Sequence, residues 1–291
     1  MPMITLYRLG MRLLPRIPER LIYALCGLGA WLALLAAPAA RRGALHNLAR
    51  TQPGLGAWRR LLLARRTIAY VFRHYADLLR LPTFGPDELA RRFEITGAEH
   101  IDALLAAGNG GMMAVPHCGS FSTILAALAA RGYPLVLVVE RIEPPEMLEL
   151  VSALRRRPNL EVLPLGPSAG RDVLRAMRAN KIVVLAGDRD LASQNLRLPF
   201  FGEETSVPVG IARLAARGAP VITAFAAWVD GAPSVARIEP LPDAAALPGE
   251  AAEAAVARIT GLILERFETY IRAFPASWGV LQPNWPTTDE V

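Results

Sequence analysis

His117 is the side chain of this sequence best placed to move a proton. It lies in Ala114-Val115-Pro116-His117-Cys118-Gly119-Ser120-Phe121-Ser122-Thr123, behind a short apolar run and ahead of an Ala- and Leu-rich stretch. The pattern predicts a His between the end of a buried strand and the N-terminus of a helix. In an open α/β sheet ligands collect there, because the strand ends open into a crevice and the helix presents unpaired N–H groups. An imidazole at that point exchanges a proton near neutral pH, and N–H groups around Gly119 and Ser120 can meet a developing oxyanion. The plainer reading of a single His, a partly buried ring capped by a neighbouring hydroxyl, stays open at this stage. Cys118 is adjacent, but neighbours on an extended chain point to opposite faces, which argues against a Cys–His nucleophile pair.

Two further loops carry charge directly after apolar strands. Glu140 and Arg141 follow Pro134–Val139, and Asp188, Arg189 and Asp190 follow Ile182–Ala186, with Phe200-Phe201-Gly202-Glu203-Glu204 downstream. If the sheet is parallel, these loops and His117 share one edge and can surround one crevice, where charges perturb one another's proton affinities. The alternative is structural: Asp188 and Arg189 cap helices and pair with each other. The sequence holds no phosphate-cradling glycine motif, metal-ligand cluster or Ser nucleophile elbow, and the spacing of Cys26 and Cys118 fits neither a zinc site nor a disulfide framework. No metal or redox cofactor is expected.

The elements that must position these residues follow from periodicity. Strands are predicted at Phe93–Ile95, Gly111–Val115, Pro134–Val139, Leu160–Pro164, Ile182–Ala186, Pro220–Ala227 and Ser234–Glu239. Helices are predicted from Ala98, Phe121, Glu146, Arg171, Val209 and about Gly249. Continuous apolar strands imply burial on both faces, and their alternation with helices gives an α/β fold with a mostly parallel central sheet flanked by helices. Ahead of it, residues 43–80 read as two helices separated at Pro53-Gly54, with an apolar stripe and a basic side.

The N-terminus differs from the rest. Arg8, Arg12, Arg16 and Arg20 recur every four residues among apolar side chains, and Leu21–Ala40 then carries no formal charge over twenty residues. That length suits a membrane-anchoring helix, with a signal peptide and a buried or monotopic helix as the competing readings. The composition agrees: 53% of the 291 residues are hydrophobic, 32 basic residues stand against 26 acidic ones, and the net charge is +6. This favours an anionic membrane surface. A nucleic-acid partner is not expected, because no binding motif accompanies the charge. The expected division is a basic, apolar membrane-anchoring segment at 1–42, a helical region at 43–92 and an α/β domain at 93–291.

The order PHCGSFS, VVER, AGDRD, LPFFGEE-TSVPVGIARLA and FPASW-GVLQPNWP resembles the bacterial lipid A late acyltransferase family. That family includes the phosphatidylinositol mannoside acyltransferases and is similar to the wider lysophospholipid acyltransferases. The likeness runs from the anchor through Trp285. It implies a membrane-associated O-acyltransferase that moves a fatty acyl chain from acyl-CoA or acyl-carrier protein to a hydroxyl of a glycolipid, at the cytoplasmic face of the cell or inner membrane. The family motif pairs a His with an acidic residue five positions later. His117 fits, but Ser122 stands at the acidic position, and a hydroxyl cannot supply the charge that would orient the imidazole.

The resemblance therefore implies His117 as general base with a carboxylate from another loop, Glu203 first, then Asp188 and Asp190. Ser120, Ser122, Glu140, Arg141, Arg189, Asp190 and Phe201 would contact substrate, Arg141, Arg189 and Arg171 by holding phosphates. The alternative implied by Ser122 is a weakened or inactive lipid-binding relative of the same fold. A glycerolipid acyltransferase is a further reading within enzymes.

Overall fold

A computed structural model describes residues 2–190 and 196–286, so the last residues of the predicted 93–291 segment lie outside the described residues. Helices α1 (Pro2–Leu13), α2 (Glu19–Ala36), α3 (Pro38–Thr51), α4 (Ala57–Arg80) and α5 (Pro86–Arg92) come first. The α/β region follows with β1 (Phe93–Thr96), α6 (Glu99–Ala106), β2 (Gly111–Val115), α7 (Phe121–Ala130), β3 (Leu135–Val139), α8 (Pro145–Arg155), β4 (Leu160–Pro164), α9 (Ala169–Arg178) and β5 (Ile182–Ala186). It continues through β6 (Leu196–Phe200), β7 (Glu203–Val207), α10 (Gly210–Ala215), β8 (Val221–Ala227), β9 (Ser234–Pro240) and α11 (Ala252–Ala273).

Seven strands form one sheet in the order β1-β9-β8-β2-β5-β3-β4. All neighbouring pairs are parallel except β8 with β9, so the predicted mostly parallel sheet is observed. The apolar runs explain it: β2, β5 and β3 are central, and Met112, Met113, Ile182, Val183 and Val184 have at most 1% of their surface exposed. One apolar layer lies over each face. Leu78, Ile101, Leu125, Leu128 and Leu137 belong to the first, and Phe200, Val207, Ile263, Phe267 and Trp278 to the second.

Two places depart from the sequence reading. The uncharged stretch Leu21–Ala40 is not one helix: α2 ends at Ala36, and Pro38 opens α3, where its missing N–H and fixed φ suit a first helical turn. The stretch read as a loop at Phe200–Glu204 is the tip of an antiparallel hairpin, β6 with β7. Phe201 and Gly202 both have positive φ, 56° and 81°, as a two-residue turn matching the strand twist requires.

Helix α2 is long and apolar enough to cross a membrane, by length and composition. It packs on α4 through Ala30 and Leu34 against Ile68 and Ala69. On its other side Leu21, Leu25, Leu28, Trp31, Leu32 and Leu35 are exposed. Helix α3 is tied to the segment after α11, where Asn47 donates from Nδ2 to the carbonyls of Val280 and Gln282, at 3.0 and 2.9 Å.

Candidate active site

The carboxyl ends of β2 and β5 place His117 and Asp188 side by side, because β2 and β5 pair in register through Val115 and Ala186. The imidazole Nδ1 lies 2.7 Å from Asp188 Oδ1. A carboxylate can only accept, so Nδ1 carries the hydrogen and Nε2 keeps its lone pair. Asp188 is fully buried, and its Oδ2 accepts from the His117 backbone N–H at 2.9 Å and from Trp278 Nε1 at 2.7 Å. About a third of the His117 side chain remains exposed, so the ring has one buried and one open side.

The electrostatics follow from burial and pairing. Burial pulls the His117 pKa down, but the charge and hydrogen bond of Asp188 outweigh it and the net shift is upward from 6.5. Burial pushes Asp188 up, yet His117, Trp278 and the backbone N–H together hold it below the ordinary carboxylate range. Burial drives the thiol of Cys118 well up, so it is a poor nucleophile at neutral pH.

The backbone under the ring is fixed by the C-terminal segment. Gly279 N–H donates to His117 O at 2.8 Å, and Gly119 N–H donates to Ser277 O at 2.8 Å. Gly119 has φ +61° and a Cβ there would meet Ala226 O at 2.4 Å, so only glycine fits. Because its N–H is taken, Gly119 is not a free oxyanion donor. The N–H groups of Ser120 and Phe121, at the start of α7, have no acceptor among the described residues.

The other predicted residues divide. Glu203, ranked first as partner of His117, is half exposed at the start of β7 and pairs with Arg50 at 2.7 Å; Asp188 occupies the place expected of it. Asp190 accepts from Ser206 Oγ at 2.6 Å. Arg141 turns along the sheet edge and donates to Leu165 O at 2.9 Å. Glu140 is exposed and Arg189 half-buried, both near enough to bear on the imidazole, with opposite signs. Phe201 stacks against Arg272 at 4.7 Å, and Ser120 Oγ bonds Thr123 Oγ1 at 2.8 Å.

Ser122 faces away from the imidazole. It is buried and accepts from Arg155 Nε at 3.1 Å. Arg155 in turn lies over the Phe121 ring at 5.4 Å, and the His74 ring stacks on Phe121 at 4.4 Å. Sequence reasoning missed Trp278, Asn284, Arg155 and His74. Asn284 Nδ2 donates to the Asp188 carbonyl at 3.2 Å. The only signal for Trp278 and Asn284 was the unusual C-terminal run of Trp, Asn and Pro; nothing local marked the other two.

A family model for the bacterial lipid A biosynthesis acyltransferases matches residues 2–287. The chain belongs to this family. It is an acyltransferase, and its relatives narrow the comparison. The phosphatidylinositol mannoside acyltransferases of two Mycobacterium tuberculosis strains are 34% identical over 218 residues, 73% of this chain and 67% of theirs. That of Mycolicibacterium smegmatis is 29% identical over 286 residues, 96% of this chain and 90% of its own length. Ser122, five positions after His117, lies beside Arg155, and the carboxylate on the imidazole comes from the loop after β5.

Proposed function

We propose that this acyltransferase uses His117 as general base to move a fatty acyl chain from a CoA or carrier-protein thioester onto a hydroxyl of a membrane glycolipid. The observation that carries the reading is the imidazole with Nδ1 on buried Asp188 and its other edge open. Nε2 takes the proton from the acceptor hydroxyl as that oxygen attacks the thioester carbonyl carbon. The tetrahedral intermediate collapses with cleavage of the C–S bond, and the imidazolium returns the proton to the leaving thiolate. Asp188 holds the tautomer and stabilises the transient positive charge. The N–H groups of Ser120 and Phe121 are the donors for the oxyanion.

A narrow apolar slot beside the site, walled by Val115, Phe121, Ile124, Leu128 and Leu137, is the seat we assign to the acyl chain. Its volume of about 30 Å³ holds little more than a water or two, so the chain enters as these side chains move aside. The names of the relatives make a phosphatidylinositol mannoside the acceptor to test first. The exposed leucines of α2 and the basic α1 support work at a membrane surface. The weakened-relative reading drew its motive from Ser122, and Asp188 on the imidazole supplies the charge that Ser122 lacks.

The test is transfer of a labelled acyl group from palmitoyl-CoA and from an acyl-carrier protein to purified mannosylated phosphatidylinositol. Wild-type chain is expected to form the acylated glycolipid and His117→Ala to lose it. Turnover by His117→Ala close to wild type would overturn the mechanism.

A further inference from the structure

Where α2 leaves the surface of the α/β region, it encloses a cleft of about 1170 Å³ with α4, α5 and the turn after β8. Six arginines line it against four carboxylates, an excess of two positive charges. The carboxylates are all engaged. Glu19 pairs with Arg80 and Arg92, Glu88 with Arg92, and Asp77 with both arginines while accepting from Tyr23 Oη at 2.9 Å. Asp230 pairs with Arg66 and Arg73. Arg20, Arg65 and Arg91 form no ion pair among the described residues.

The walls also hold donors without acceptors. Nε of Arg65, Arg73 and Arg80 and Nε1 of Trp228 are buried and have no hydrogen-bond partner among the described residues. Arg80 is itself only 8% exposed. These atoms have no surface that an occupant could reach, so what they leave at the cleft wall is uncompensated positive charge, which together with Arg20, Arg65 and Arg91 favours a negatively charged occupant. The rim indicates its source. Leu28 and Trp31 belong both to the cleft and to the exposed apolar face of α2, and Arg65 stacks over the Trp31 ring at 5.5 Å. A ligand with its charge among the arginines would therefore run its apolar part along α2.

We propose that this cleft seats the phosphodiester headgroup of an anionic bilayer lipid, with its acyl chains lying along the leucines of α2. The inference rests on the membrane reading given above. The cleft is distinct from the acyl slot, though Ser120 and Thr123, at the start of the helix that follows His117, form part of its wall. A lipid bound there ties the apolar helix to the body that carries the base.

Binding is measured by isothermal titration of the full-length chain with monomeric dihexanoyl phosphatidylglycerol, dihexanoyl phosphatidylcholine and glycerol phosphate. The anionic lipid is expected to bind at least ten times tighter than either of the others. Arg65→Gln is expected to weaken it about tenfold, and Arg65→Gln with Arg73→Gln to erase the preference. Arg65 makes no ion pair among the described residues, so the single variant keeps the test alive if the double variant fails to fold. Equal binding by Arg65→Gln and wild type would overturn the site, and glycerol phosphate binding as tightly as the lipid would overturn its assignment to a lipid. Vesicle flotation with Leu25→Asp and Leu32→Asp tests the membrane reading separately. Loss of flotation with monomer binding kept is the expected result, while a wild-type chain that never floats would remove the membrane reading and leave the titration to decide the cleft.

Discussion

The polar groups on either side of the start of α7 are finished differently. Toward the sheet edge, Asp188 gives both oxygens to three donors, and the His117 ring is held in one tautomer before any substrate arrives. Within the helical layer, Arg155 is buried against a single serine hydroxyl with no carboxylate among the described residues, and burial lowers its pKa to about 10. His74 beside it is held neutral, its pKa down to about 3, by burial first and then by the charges of Arg155 and His117. The contrast separates two tasks, holding the base and compensating a buried arginine. Orienting the base falls to β5, and the position five residues after the His bears on Arg155.

Variants break or sharpen that contrast. His117→Ala removes the base and is expected to lower acyl transfer roughly 10³- to 10⁴-fold, and, because buried Asp188 loses a partner, to lower the melting temperature without unfolding the chain, read by labelled-product formation and calorimetry. Asp188→Asn keeps the shape but spoils the tautomer and the charge, and a loss of roughly 10²- to 10³-fold in kcat is expected. Trp278→Phe removes one of three donors to the carboxylate, with about a tenfold loss in kcat/KM, since a hydrogen bond to a charged group contributes about 1.5–3 kcal/mol.

On the other side, Ser122→Asp is expected to pair with Arg155, raise Tm by roughly 3–8 °C and change turnover less than threefold. A large gain in turnover would mean that the position acts on the imidazole after all. Glu203→Gln breaks an exposed pair with Arg50 and is expected to leave turnover within about twofold of wild type.

Much of this architecture was legible because burial writes itself into composition. The runs at β2, β3 and β5 are apolar without alternation, as strands covered on both faces must be, and His117 was found from its place at the end of one of them. Its partner was harder. Asp188 lies 71 residues away and is brought in only by the pairing of β2 with β5. The resemblance implied Glu203 first instead. The hairpin of β6 and β7 was missed because Phe201 takes the positive φ for which a sequence normally offers Asn or Gly. Arg155 and His74 come from helices α8 and α4, whose sequences carry no local sign that these two side chains are buried, and only tertiary packing encloses them.

The most direct test of the central claim is the pH dependence of kcat/KM for acyl transfer in wild type and Asp188→Asn. The base works unprotonated, so the rate rises as His117 loses its proton, and the raised pKa places the wild-type midpoint above 6.5. Removing the Asp188 charge leaves burial and Arg189, which lower the pKa, against the smaller raising effect of Glu140, so the midpoint of Asp188→Asn is expected at lower pH with a reduced plateau. A midpoint that stays in place in Asp188→Asn, or that moves instead in Glu203→Gln, would contradict the pairing on which the account stands.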